Sequence, residues 1–147
     1  MIKIQPNYLP PDLYQQVEDY CYTASYLYGE RDHPDVAPTG LTHDLDLDNK
    51  IVSYFPTQGL FRAYINYFSA GENPKFHTDY GRLTSLFYIN EESYDINEGG
   101  CTEMLTDNSI TGIIPFRNTL ATFDANILHR ATSFHTRPRF TLALKYE

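Results

Sequence analysis

From residue 50 onward the chain is cut into short apolar stretches by turn residues, and this pattern limits the possible folds more than any other feature. Candidate strands fall at 51–55, 60–68, 75–79, 83–90, 100–105, 112–115, 119–123 and 140–145. Between them stand Gly71, Asn73-Pro74, Gly81, the run Asn97-Glu98-Gly99-Gly100, Asp107-Asn108 and Arg117-Asn118. Such residues open turns because they preset φ or tolerate unusual backbone angles. A run of short strands with no helical pattern between them describes a β-sandwich or barrel. The aromatic content agrees. The 13 Tyr and 9 Phe, with no Trp, suit the half-buried surface of a pleated sheet.

The first third reads differently. Ile2 and Ile4 alternate as in a short strand, and Pro10-Pro11 with Asp12 suit the first turn of a helix. Leu13, Val17, Tyr20 and Cys21 recur at helical spacing, which predicts a helix over 11–27 packed on one sheet. Residues 29–50 are polar, with Pro34, Pro38, Gly40 and an acidic stretch from Asp44 to Asp48. They are expected to form a loop, with a strand near Thr42–Leu45, of a length that suits a flap over a functional site. The expected organisation is a single domain over 1–147, with a helical scaffold and flap in 1–60 and the barrel in 61–145.

Charge and cysteine usage narrow the function. The formal net charge of -8, from 19 acidic and 11 basic residues, disfavours nucleic acid as a partner, although Arg130, Arg137 and Arg139 gather late in the chain. Cys21 and Cys101 form no CxxC pair or zinc spacing and are read as reduced thiols of a cytosolic protein. No apolar run approaches membrane-spanning length and the N-terminus has no secretory pattern, so a soluble, cytoplasmic protein is expected.

The residues that carry chemistry begin with His77-Thr78-Asp79, in a stretch that reads as extended. Residues i and i+2 of a strand project to one face, so the imidazole and the carboxylate share a space. His129 offers a second imidazole. Two imidazoles and a carboxylate on one side of an ion form the facial triad that holds non-haem iron(II) and leaves open positions opposite. An HxD triplet alone is common by chance, and zinc is a rival for the same donors. Arg139 changes the balance. Alternation sets Arg139, Thr141 and Ala143 on one strand face and Phe140, Leu142 and Leu144 on the other. The second is a core-packing face, so the first carries a guanidinium inward, which is costly unless an anion meets it. That anion is either an internal Asp or Glu, or a bound carboxylate captured in bidentate fashion.

From Phe61 to Lys145 the chain resembles the Fe(II)/2-oxoglutarate-dependent dioxygenases, in particular their prolyl-4-hydroxylase-like branch. The resemblance rests on Tyr64-Ile65-Asn66, Gly71, the His77-Thr78-Asp79 triplet, Leu86-Phe87-Tyr88-Ile89-Asn90, and Gly99-Gly100 with Thr102 and Leu105. It continues through Thr119 to Phe123-Asp124, His129-Arg130 and Arg139-Phe140-Thr141. It implies a mainly β, double-stranded β-helix (jelly-roll) fold, with His77, Asp79 and His129 as catalytic metal ligands for Fe(II). It further implies that 2-oxoglutarate chelates the metal while Arg139 takes its distal carboxylate, helped by Tyr88 and Thr141, with Tyr64 and Asn66 facing the site. O2 is the co-reactant, succinate and CO2 are the co-products, and ascorbate is an expected supporting reductant. A carboxylate at Asp79, where halogenating relatives carry a small residue, favours hydroxylation of a C–H bond, in a peptidyl proline, a free amino acid or another small molecule. The chain departs from the collagen enzymes in having no lysine at the Arg139 position. It departs from the nucleic-acid demethylases in how close Arg139 lies to His129. A demethylase, a non-catalytic jelly-roll module and a cupin-like zinc or manganese enzyme remain the alternatives. His33, His43 and His135, with Arg130 and Arg137, are expected to be surface residues.

Overall fold

The computed structural model describes residues 1–28 and 39–147. In chain order the elements are β1 (Ile2–Gln5), α1 (Pro11–Thr23), β2 (Leu27–Tyr28), β3 (Leu41–Leu45), β4 (Leu60–Phe68) and β5 (Leu83–Ile89). They continue with β6 (Thr102–Thr106), β7 (Ser109–Ile113), β8 (Thr119–Asp124), β9 (Leu128–Ala131) and β10 (Arg139–Tyr146). A seven-stranded antiparallel sheet, in the order β1-β8-β5-β10-β4-β3-β2, is covered by a three-stranded sheet ordered β7-β6-β9. This is the jelly-roll arrangement expected from the strand pattern.

The period-2 alternation of the central strands builds two separate cores on the two faces of the large sheet. On one face Phe87 and Ile89 of β5 and Phe140, Leu142 and Leu144 of β10 pack with Tyr14, Val17 and Cys21 of α1. Each large side chain buried there contributes roughly 1.5–3 kcal/mol. On the other face Tyr64, Leu86, Tyr88, Phe123 and Ala143 meet Met104 and Ile113 of the small sheet. Between the sheets, then, lie the residues offset by one from the helix-facing set.

Several local expectations change. The helix stops at Thr23, because the Thr23 hydroxyl donates back to Asp19 O at 2.9 Å and Tyr26 OH donates to Cys21 O at 2.7 Å. Residues 27–28 accordingly pair with β3. The expected strand at 51–55 is a 3-10 turn, Val52–Tyr54, seeded by Asn49, whose side chain accepts from Ile51 N and whose carbonyl accepts from Val52 N. Residues 75–79 form no strand; they make a single antiparallel bridge, His77 to His129, before Asp79 N turns away to Ala125 O. The flap expected over 29–50 falls partly outside the described residues, as does His33. Its described part contributes β3. No helix among the described residues is long and apolar enough to cross a membrane.

Candidate metal centre

His77 and His129 come from distant parts of the chain, yet each donates its backbone N–H to the other's carbonyl, at 3.0 and 2.9 Å. That reciprocal pair holds their side chains together, with ring centroids 4.7 Å apart. Phe123 supports the His129 ring edge-on at 4.8 Å. Asp79 enters from the same segment as His77, its backbone N–H bound to Ala125 O at 2.9 Å. The three side chains are buried, and their donor atoms all lie within 4.8 Å of one another. No other such trio of His, Cys, Asp or Glu occurs among the described residues.

The proton positions follow from the partners. His77 Nδ1 lies 2.9 Å from Lys75 O and His129 Nδ1 lies 2.8 Å from Ile127 O. A carbonyl can only accept, so each Nδ1 carries a proton and each Nε2 is turned towards the carboxylate. His77 Nε2 is 3.6 Å from Asp79 Oδ1, and His129 Nε2 is 3.2 Å from Asp79 Oδ2. Both imidazoles thus converge on one carboxylate, and its buried Oδ1 has no hydrogen-bond partner. A cation resolves both, and the backbone carbonyls behind the rings fix ligand orientation as in known metal sites. The donors fit a divalent transition metal.

The carboxylate is also held from behind. Thr84 Oγ1 donates to Asp79 Oδ2 at 2.5 Å, and the buried Lys145 ammonium donates to the same oxygen. Burial pushes the Asp79 carboxyl up, but the charge of Lys145, followed by the hydrogen bond and charge of His129, outweighs it and holds the group well below the usual carboxylate range.

Arg139 lies on the same inward face of β10, 2% exposed. Its Nε donates to Gly100 O at 3.0 Å, Nη1 to Thr141 Oγ1 at 2.9 Å and Nη2 to Thr102 Oγ1 at 3.0 Å. All three acceptors are neutral, and no carboxylate among the described residues pairs with the guanidinium. Burial accordingly lowers its pKa. The internal ion pair left open by the sequence is therefore absent among the described residues. Gly100 makes the contact possible: its φ is +85° and a Cβ there would run into the Phe134 ring. Arg139, Thr141, Tyr64, Asn66, His77 and His129 all line one cavity. Tyr88 lies behind that wall. Its hydroxyl, kept protonated by burial, donates to Thr102 Oγ1 at 2.8 Å, and its ring centroid lies 5.6 Å from the Arg139 guanidinium carbon.

Lys145, Thr84 and Thr102 also belong to the site, although none was expected to have a role there. The available signal is strand alternation, which puts Lys145 in register with Arg139 on β10, and Thr84 with Tyr88 on β5. Three expected surface residues are half-buried and held by partners. Arg130 pairs with Glu103 at 2.7 Å, and Arg137 binds Glu98 at 2.9 Å and Asn90 at 2.6 Å. His43 lies 3.0 Å from Tyr20 OH and 2.8 Å from Ser25 O. Among the described residues of that set, only His135 is exposed as expected.

By sequence the chain matches no family model and no curated protein. By structure it is similar to a prolyl-4-hydroxylase from Pseudomonas putida, with a TM-score of 0.80 at 16% identity over 99% of this chain and 91% of that one. It is similar also to a Trichoplax adhaerens prolyl hydroxylase, in complex with a peptide fragment of the hypoxia inducible factor oxygen degradation domain (TM-score 0.75, 14% identity, 99% and 82% covered). HygX from Streptomyces hygroscopicus, with nickel and 2-oxoglutarate bound, gives a TM-score of 0.71 at 8% identity, covering 97% and 81%. The fold of this chain is therefore the double-stranded β-helix found in prolyl-4-hydroxylases and other 2OG-Fe(II) oxygenases.

Proposed function

We propose that the protein is an Fe(II)- and 2-oxoglutarate-dependent oxygenase that hydroxylates a C–H bond. The observation that carries this reading is Arg139, a buried guanidinium with no counter-ion among the described residues, lining the same cavity as His77 and His129. A guanidinium has five N–H donors, and three of Arg139's are used, one on each nitrogen. One N–H therefore remains on each of Nη1 and Nη2, a matched pair for the two oxygens of a carboxylate. A dicarboxylate spanning from the metal to Arg139 meets both needs of the cavity.

Iron(II) at the triad, with oxygen and 2-oxoglutarate, supplies the oxidative decarboxylation to succinate and CO2 that drives C–H hydroxylation. The chain's own residues do the rest. Thr141, Thr102 and Gly100 fix the plane of the guanidinium, so that binding the distal carboxylate costs little side-chain entropy. The Nδ1 hydrogen bonds keep both Nε2 atoms aimed at the metal. Tyr64, Asn66 and the aromatic wall limit water in the cavity. The substrate is a peptidyl proline or a free amino acid, a reading supported by the likeness to prolyl hydroxylases, one of which holds a peptide.

The test is succinate release from 2-oxoglutarate with iron(II) and ascorbate. Turnover in the wild type that disappears in His77→Ala is expected. No succinate from the wild type, or an equal rate in the variant, overturns the reading.

A further inference from the structure

Lys145 poses a question that iron and 2-oxoglutarate leave unanswered. It is 6% exposed and sits on β10 with its ammonium donating to a metal-ligand carboxylate. A cation next to a divalent metal's ligand opposes metal binding by simple repulsion. The arrangement around Asp79 shows what that cation could supply. Oδ2 receives Lys145 and, at 2.5 Å, the Thr84 hydroxyl, with His129 Nε2 at 3.2 Å on its other side, while the equally buried Oδ1 receives no hydrogen bond. Lys145 Nζ also lies 3.4 Å from Thr84 Oγ1, so the three groups form one cluster.

We infer that Lys145, with Thr84, is a positioning residue that occupies Oδ2 and leaves Asp79 only Oδ1 to offer a metal. The inference rests on the metal-centre reading above. Its consequence is a count of open positions. In an octahedral site two imidazoles and a monodentate carboxylate leave three positions, enough for a chelating oxo-acid and oxygen together. A carboxylate free to bind through both oxygens would leave two. Lys145 thus trades metal affinity for an open coordination position, which is why a buried charge sits where a neutral residue would bind metal better.

Manganese(II) alone, added to the full chain, tests this without turnover. Lys145→Met keeps most of the apolar stem and removes both charge and donor. It is expected to bind Mn(II) about tenfold more tightly or better. It is also expected to lose about a third of the water-proton relaxation enhancement as one water position closes. Lys145→Arg is expected to restore both values towards wild type. Lys145→Gln keeps a donor for Oδ2 without the charge, so tighter Mn(II) binding with near wild-type relaxation is expected. Wild-type affinity and relaxation in Lys145→Met overturn the inference. If that variant does not fold, unchanged Mn(II) affinity in Lys145→Gln overturns it. Asp79→Ala separates the two readings: Mn(II) binding as tight as wild type there removes the metal centre and the inference with it. A large loss in Asp79→Ala, with no effect at Lys145, removes the inference alone.

Discussion

Arg139 and Lys145 stand at the two ends of one face of β10, buried almost alike at 2% and 6% exposure. Their surroundings differ in kind. Lys145 meets a carboxylate, whereas Arg139 meets a carbonyl and two hydroxyls. A buried charge with a counter-ion is satisfied within the fold, and a buried charge held only by neutral acceptors is left ready for an anion from outside. One strand therefore carries a cation paired within the fold and another left ready for an anion from outside.

The largest effects should come from removing what lies between the two. His129→Ala or His77→Ala takes away an imidazole donor, and succinate formation should fall to the background rate of metal in buffer. Turnover measured with saturating iron(II) checks this, and substantial residual activity would break the link between the triad and Arg139.

Arg139→Ala should come next. Losing one partner of a buried, hydrogen-bonded charge pair costs about 2–5 kcal/mol, so KM for 2-oxoglutarate should rise roughly 30-fold or more. A 2-oxo acid without the distal carboxylate should separate wild type from variant far less. Equal losses for both acids would assign the arginine to the fold and erase the comparison.

Stability without metal sharpens the contrast from the other side. Lys145→Met leaves the Asp79 carboxylate buried without its cation and should cost about 3–5 kcal/mol. Arg139→Met removes a charge that has no counter-ion and should change stability by no more than about 1 kcal/mol, since lost hydrogen bonds offset the relieved burial. Urea unfolding of the two metal-free variants measures both. The reverse ranking would mean that Arg139 is the structural cation.

Most of this architecture is written in alternation. β4, β5 and β10 are legible because each keeps apolar residues in step on its helix-facing side, as Phe140, Leu142 and Leu144 do. β9 is not legible, although it carries His129. Leu128 is its one large apolar residue and points outward at 41% exposure, while His129 and Ala131 face in. The 75–79 stretch reads as a strand but makes one bridge only, because Asp79 takes its backbone bond from Ala125 rather than from β9. At the site, HxD, a later histidine and an inward arginine can be read directly. Lys145, Thr84 and Thr102 cannot, since lysine and threonine near strand ends read as solvent-facing until a partner strand shows which side is covered.

The smallest effect should come from Tyr88→Phe, and it bears on how Arg139 is held. Tyr88 OH donates to Thr102 Oγ1, and the same oxygen accepts from Arg139 Nη2. The Thr102 hydroxyl proton is then free to turn elsewhere, because both of its lone pairs are engaged. Without the phenol, Thr102 keeps the arginine bond but loses the donor that fixes its orientation, and no charged group is left exposed. The expected stability loss is about 1 kcal/mol, with a rise of only a few-fold in KM for 2-oxoglutarate and no change in metal affinity. Steady-state kinetics with a Mn(II) titration reads all of these. A loss as large as that of Arg139→Ala would put Tyr88 on the carboxylate itself, and the guanidinium would then share the anion rather than bind it alone.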